Sequence, residues 1–199
     1  MILKVGGSVA GRLDEIVESI KNKKVLVIPG GWKFADLVRG VYKKFGISED
    51  AAHWMAVAAM DQYGYFIAEK GIKILEVDSF EDLTVEDSRV LLPYKLLKKY
   101  DELPHSWDVT SDTISAWIAS KIGEKMVLKV TAVKGIFLDG KLIEKIKASE
   151  LKAIKSDVVD RYLPEFLIKS NVDFFICSVD ELKKYILSGK AEGTLIEGR

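Results

Sequence analysis

Short, mostly apolar runs alternate along the chain with longer stretches in which apolar positions return every three or four residues. Ile2–Val5 and residues 25–28, 72–77, 89–92, 126–130 and 172–176 have strand length and few breaks. Residues 13–22, 34–44, 49–69, 113–123, 158–169 and 179–187 carry the helical period. Strands that are apolar throughout and separated by helices predict an α/β fold, a parallel sheet covered on both faces. Residues 133–145 break the rhythm. Two β-like runs there flank Asp139-Gly140, the signal of a type I′ hairpin. No tandem repeat and no low-complexity linker divides residues 1–199, which predicts a single domain.

Composition narrows the function. Thirty Lys and Arg balance thirty Asp and Glu, so no global field draws the chain to nucleic acid or to an acidic membrane. No apolar run approaches a membrane span, and no basic segment precedes a long apolar one, so neither a span nor a signal peptide is expected. The single cysteine, Cys177, excludes an internal disulfide, fits a cytoplasmic protein and sits in the apolar run Asp173–Cys177 as a buried thiol. With two histidines the chain cannot build a zinc cluster, and no protein metal site is expected.

The chemistry concentrates where strands stop. Two strands end in glycine pairs, Gly6-Gly7 and Gly30-Gly31, each followed by a helical pattern. Such a turn offers bare backbone N–H groups at a helix N-terminus, where an anion approaches without meeting a Cβ. Lys4 stands inside the first strand, where an ammonium is costly unless it meets an anion. Two cradles and a lysine suit phosphoryl transfer: one for the donor, one for the acceptor, and a cation for the charge between. Ser8 can cap the next helix or bond a phosphate. Trp32, at the loop tip after the second pair, is placed to wall an acceptor pocket. Residues 135–142 imitate a phosphate-binding loop, but Leu142 has no hydroxyl and the context is a hairpin, so that reading is set aside. No Gly-x-Gly-x-x-Gly follows a strand.

A third stretch, Pro104 to Asp112, leads into the helix at 113–123. Thr110 or Ser111 should cap it, which leaves Asp112 in its first turn, able to reach lysines at the carboxyl edge of the sheet. The helix at 49–69 is apolar almost all round and should be buried on several sides. Trp54, Ala58, Asp61 and Tyr65 share one stripe of it. Asp61 is the one acid among residues 51–68 and needs a partner, internal or a ligand. His53 is open to either a core or a ligand role. Lys129, Thr131, Lys134 and Gly135 lie where a strand enters the hairpin, as nucleotide contacts or as a solvated strand end. Ile196 to Arg199 equals a protease-recognition tetrapeptide, and its last three residues carry no weight in this reading.

Taken in order, Lys4-Val-Gly-Gly-Ser8, Pro29-Gly-Gly31, Thr110-Ser-Asp112, Thr131-Ala-Val-Lys-Gly135 and Gly193-Thr194 resemble the motifs of the amino acid kinase superfamily. The resemblance implies a three-layer α/β sandwich with a twisted, mainly parallel sheet. It implies ATP, with Mg2+ bound through the nucleotide, and a cytoplasmic homo-oligomer. Lys4 and Asp112 would be catalytic. Gly6, Gly7, Ser8, Lys129, Thr131, Lys134 and Gly135 would serve the nucleotide, mainly on the side of residues 111–199. Gly30, Gly31, Trp32, His53, Trp54, Asp61, Trp107 and Thr110 would serve the acceptor, mainly on the side of residues 1–110. Within the superfamily, Ala52-His-Trp-Met55, Met60-Asp-Gln-Tyr-Gly64 and Ser106-Trp-Asp-Val-Thr-Ser-Asp112 are most similar to the archaeal aminomethylfuranmethyl phosphate kinases of methanofuran synthesis. That group implies transfer of the ATP γ-phosphoryl to a phosphate monoester that carries an aminomethyl group; as the lone acid of its stretch, Asp61 is then the expected partner of that ammonium. Two departures stand out: Lys134 where many relatives have aspartate, and Cys177-Ser178 where Asn-Gly is common. The segment bearing a second lysine in larger relatives has no counterpart, and Lys129 is the substitute candidate. The alternatives are an isopentenyl phosphate or nucleoside monophosphate kinase, or a non-catalytic binding or storage protein on the same scaffold.

Overall fold

The computed structural model describes residues 1–154 and 156–199. In chain order the elements are β1 (Ile2–Val5), a 3-10 helix (Gly7–Arg12), α1 (Leu13–Ile20), β2 (Leu26–Pro29), α2 (Trp32–Phe45), α3 (Glu49–Ala68), β3 (Lys73–Leu75), β4 (Arg89–Leu91), α4 (Tyr94–Tyr100) and α5 (Ser111–Lys121). There follow β5 (Met126–Thr131), β6 (Phe137–Leu138), β7 (Lys141–Leu142), β8 (Lys145–Lys147), α6 (Ala148–Leu151), α7 (Leu163–Ser170), β9 (Asp173–Ser178), α8 (Val179–Ser188) and β10 (Thr194–Glu197). Eight strands form one sheet in the order β3-β4-β2-β1-β5-β9-β10-β8. Within this sheet, among the described residues, only the β9–β10 pairing is antiparallel, so the sheet is mainly parallel, as the strand–helix rhythm requires.

Alternation along β1 sets the layers. Ile2 joins Leu26, Ile28 and Val127 in a core shared with α5 and α7. Leu3 and Val5 face the opposite core, with Leu13, Ile16 and Ile20 of α1 and Leu182 of α8. Lys4 therefore points to the α5 side. α3 contributes to both cores, Val57 and Met60 to one, Tyr63 and Ile67 to the other. It packs over the ends of β2 and β4, where a Cβ on Gly64 would lie 2.7 Å from Leu92. The β6–β7 turn has both Asp139 (φ 50°) and Gly140 (φ 77°) left-handed, the type I′ geometry its sequence predicts.

Some boundaries differ from the sequence expectation. The helix expected over residues 158–169 starts at Leu163, because Pro164 fits only the first turn of a helix. Residues 158–162 instead form a loop beside the site. α3 is buried on several sides, as expected, while Met55, Tyr65 and Phe66 leave an apolar flank in solvent. The chain's last residues belong to the fold, since Leu195, Ile196 and Glu197 pair with β8 and the Gly198 N–H donates to Asp173. Among the described residues no helix is long and apolar enough to cross a membrane.

Candidate active site

β1 is central, with β2 on one side and β5 on the other, so the carboxyl end of β1 opens onto the crevice where ligands of open α/β sheets bind. Both glycine pairs sit there. The Gly6 N–H donates to Val130 O, and the Gly30 N–H donates to Val5 O, which pins the turns to neighbouring strand ends. The turns also touch each other. A Cβ on Gly7 would lie 2.7 Å from Trp32 Cα, and one on Gly30 would lie 3.5 Å from the Gly7 nitrogen. Neither helix that follows has a side-chain cap at its start, so their first N–H groups have no capping oxygen.

Trp32 has φ of 46°. The other left-handed non-glycine residues are all Asn or Asp, which tolerate this region; a tryptophan does not, and strain of order 1–3 kcal/mol is stored at this loop. The ring is held by stacking on Phe66 at 5.0 Å and by contacts with Tyr63 and Phe34.

Beneath the turns lies a buried charge cluster. Lys4 and Lys129 are register partners on β1 and β5, so their side chains emerge together. Asp112, in the first turn of α5, meets both: Lys4 Nζ lies 2.8 Å from Oδ1 and Lys129 Nζ 2.8 Å from Oδ2. Lys129 also donates to the Val158 carbonyl. All three side chains are more than nine-tenths buried. Burial would raise the Asp112 pKa, but Lys129 and Lys4 outweigh it and bring it down to about 2. For Lys129, burial outweighs Asp112, with Lys4 acting in the same sense as burial, and the pKa falls to about 8.

Asp160 completes the cluster and was not anticipated. Its carboxylate accepts from the Thr110 and Thr113 N–H groups, from both threonine hydroxyls and from the Leu163 N–H. It thus performs the capping of α5 that was expected of Thr110 or Ser111. Burial, then the neighbouring Asp112, raise its pKa against the pull of these donors. The available signal was an acid three residues before Leu163-Pro164, a helix-start pattern.

A cavity of about 510 Å³ opens above the turns, lined by Gly7, Ser8, Gly31, Trp32, His53, Trp107, Thr110 and Ser111 among others. Gly6 and Gly30 stand behind the lining: a Cβ on Gly6 would be 3.7 Å from Lys4 Nζ, and one on Gly30 would be 3.5 Å from Ser111 Oγ. His53 stacks on His105 at 4.1 Å, and burial, then His105, push its pKa to about 4. His105 is bound by Asp50 and Asp101 at 2.7 Å each, and these bonds outweigh its burial and raise its pKa.

Of the expected acceptor residues, Gly30 lies just behind the lining, and two side chains, those of Asp61 and Trp54, are not brought to this cavity. The Asp61 carboxylate turns to the start of α4 and accepts from the Tyr94 N–H; burial raises its pKa to about 6. Trp54 packs against Tyr94 and His105 with the Lys98 ammonium 4.0 Å from its ring centroid. The stripe they share lies on a different face of α3 from His53. On the nucleotide side, Ser8 Oγ and Thr131 Oγ1 join the ends of β1 and β5 at 3.1 Å. Lys134 is half-exposed and paired with Glu192. Gly135 is required by contact with β10, since its Cβ would lie 2.3 Å from Thr194 Oγ1.

The amino acid kinase family matches residues 1–166. Over 187 residues the chain is 34% identical to the (5-(aminomethyl)furan-3-yl)methyl phosphate kinase of Methanocaldococcus jannaschii, covering 88% of this chain and 86% of that one. The fold is that of a uridylate kinase from Archaeoglobus fulgidus, with TM-score 0.73 and 18% identity over 98% of both chains. It is also that of a UMP kinase from Bacillus anthracis, with TM-score 0.74 and 15% identity over 99% of this chain and 95% of that one. The family match across most of the chain, joined to a relative similar over nearly its whole length, shows that the chain belongs to the amino acid kinase family.

Proposed function

We propose that this protein is an ATP-dependent kinase that transfers the γ-phosphoryl group to a phosphate monoester, an aminomethylfuranmethyl phosphate, and releases a diphosphate and ADP. The observation that carries the reading is the contact of the two glycine turns directly above a buried Lys4–Asp112–Lys129 cluster. The acceptor comes from the similarity to the Methanocaldococcus jannaschii kinase.

In this reading an oxygen of the acceptor phosphate attacks the γ-phosphorus, and the bond from that phosphorus to the β–γ bridging oxygen breaks. No proton has to be removed from a phosphate oxygen that is already ionised. The protein's work is therefore positioning and charge compensation. Gly6, Gly7 and Ser8 hold the donor phosphates, with Thr131, Lys134 and Gly135 on the side of the nucleotide. Gly30 and Gly31 hold the acceptor phosphate. Lys4 and Lys129 offset the charge that spreads over the transferring group, and Asp112 keeps the two ammonium groups fixed and apart. Mg2+ enters with the nucleotide. The cavity-lining residues run from Gly7 to Ile114, which supports an acceptor side mainly within residues 1–110. The reading extends to a cytoplasmic homo-oligomer. The exposed apolar side chains Leu37, Met55, Tyr65 and Phe66 on α2 and α3 support assembly.

The test is a transfer screen over small monoesters, with the aminomethylfuran compound, UMP and isopentenyl phosphate included, read by product mass. Formation of the furan diphosphate with equimolar ADP is expected. Turnover of UMP or isopentenyl phosphate in its place reassigns the acceptor, and ATP consumption with no acceptor product removes the reading.

A further inference from the structure

On the cavity wall a cation of the chain itself, Arg39, sits between a carboxylate and an aromatic ring. Arg39 Nη1 donates to Asp36 Oδ1 at 3.0 Å, and the Arg39 guanidinium carbon lies 4.6 Å from the centroid of the Trp107 ring. A carboxylate on one side and an aromatic face on the other is the pairing that recognises ammonium groups. All three residues line the cavity. The Asp36 side chain is 70% exposed and that of Arg39 42%, so the ion pair between them is weak and readily exchanged. We propose that Asp36 and Trp107 bind the ammonium of an amine-bearing phosphate monoester, which displaces the Arg39 guanidinium from this position. The inference rests on the function proposed above for its substrate class.

The spacing suits such a ligand. Asp36 lies five residues beyond Gly31, about 7.5 Å along α2 at 1.5 Å per residue. In an aminomethylfuranmethyl phosphate the path from phosphorus to nitrogen spans roughly 8 Å at ordinary bond lengths. An acceptor with its phosphate at Gly31 and the start of α2 therefore brings its nitrogen level with Asp36. Asp61, the acid favoured by the sequence pattern, is already engaged by the Tyr94 N–H outside the cavity. Glu49, the other acid of the lining, is on the first turn of α3. It is the competing partner.

The test measures binding by calorimetry, without ATP, for the aminomethylfuranmethyl phosphate and for its analogue with methyl in place of aminomethyl. The native protein should bind the amine tighter by about 10-fold, the scale of a partly desolvated cation pairing. Asp36→Asn should remove most of that ratio. Arg39→Met should keep or increase it, since the displaced cation is gone. Equal binding of the two compounds by the native protein, or of neither, overturns the proposal. So does an intact ratio in Asp36→Asn, and a ratio lost instead in Glu49→Gln assigns the ammonium to Glu49. If Arg39→Met weakens both compounds equally, Arg39 reads the phosphate and no displacement occurs. Product analysis after ATP is added to parallel samples separates the two readings: selective binding with no diphosphate formed leaves the cation site standing and removes the kinase assignment. Diphosphate formation with an unchanged ratio in Asp36→Asn does the reverse.

Discussion

Lys4 and Lys129 stand opposite each other in register on adjacent parallel strands, and the two oxygens of Asp112 hold one ammonium each at 2.8 Å. Two buried cations this close repel unless an anion lies between them, so the three side chains form one electrostatic unit. The unit carries a net positive charge toward the glycine turns, where phosphates are expected.

Losses within this unit should not add. Lys4→Ala should lower kcat by roughly 100-fold or more, the scale of a lost transition-state donor. Asp112→Asn leaves both lysines buried without a counter-charge, and should cost about 3–5 kcal/mol of stability as well as activity. Lys4→Ala combined with Asp112→Asn should be little worse in kcat than Lys4→Ala alone. Steady-state kinetics on the three variants decides; fully multiplicative losses would show that the residues act independently.

Lys129 should set an alkaline limit on the activity of the free enzyme. With its pKa near 8, the ammonium loses its proton above that pH, and kcat/KM should fall as pH rises through about 8. Stability should move the other way. Between pH 8 and the ordinary lysine value the unfolded chain binds the proton that the folded chain has released, so the unfolding free energy rises with pH across that window. Activity that falls while the urea midpoint holds or rises identifies the titration of Lys129 rather than alkaline unfolding. Lys129→Arg, always charged, should lose the limb near pH 8 even if its overall rate is lower.

Gly7 and Gly11 separate a glycine needed for contact from one that is not. A Cβ on Gly7 meets the backbone of Trp32, whereas one on Gly11 meets nothing within 4 Å. Gly7→Ala should force the two turns apart, cost roughly 1–3 kcal/mol by overpacking and cut transfer strongly. Gly11→Ala should be neutral or stabilising by up to about 1 kcal/mol. Melting curves and transfer rates on both check the pair, and a harmless Gly7→Ala would show that the turns separate freely.

Much of this arrangement was legible in the sequence because it is local. Strand length, helical period and the glycine pairs are short-range signals, and they placed Lys4, Gly7, Gly31 and Asp112 at the carboxyl edge of the sheet. The Asp139-Gly140 hairpin was equally plain. What was hidden depends on pairs distant in the chain. Asp61 drew attention as a lone acid in an apolar helix, yet its partner, the Tyr94 N–H, is supplied by a helix whose approach no periodicity reveals. Helical spacing grouped Asp61 with Trp54, but it cannot say which face of α3 meets the cavity, and His53 faces it instead. β8 and β10 are short and end the sheet in mixed orientation, so the strand–helix rhythm gave no sign of them.

Asp160 is the residue whose role was least visible and whose loss should be most informative. Its carboxylate gathers five donors, four of them on Thr110 and Thr113 at the start of α5, immediately beside Asp112. The Asp160 N–H in turn points to Asp112 Oδ2 at 3.3 Å, and Val158 in the same loop accepts from Lys129. The loop thus ties the first turn of α5 to the charge cluster. Asn in place of Asp keeps the shape but offers one acceptor oxygen and sets an NH2 group against N–H donors. Asp160→Asn should therefore cost about 2–4 kcal/mol, more than one hydrogen bond and comparable to breaking a buried network. Thr113→Val, which removes only the hydroxyl bond, should cost about 1 kcal/mol. If Asp160 positions the site, Asp160→Asn assayed well below its melting temperature should lower kcat, because Asp112 and Lys129 are no longer held. Its KM for ATP should change less. A variant that melts early yet turns over at the native rate when cold would reduce Asp160 to a helix cap.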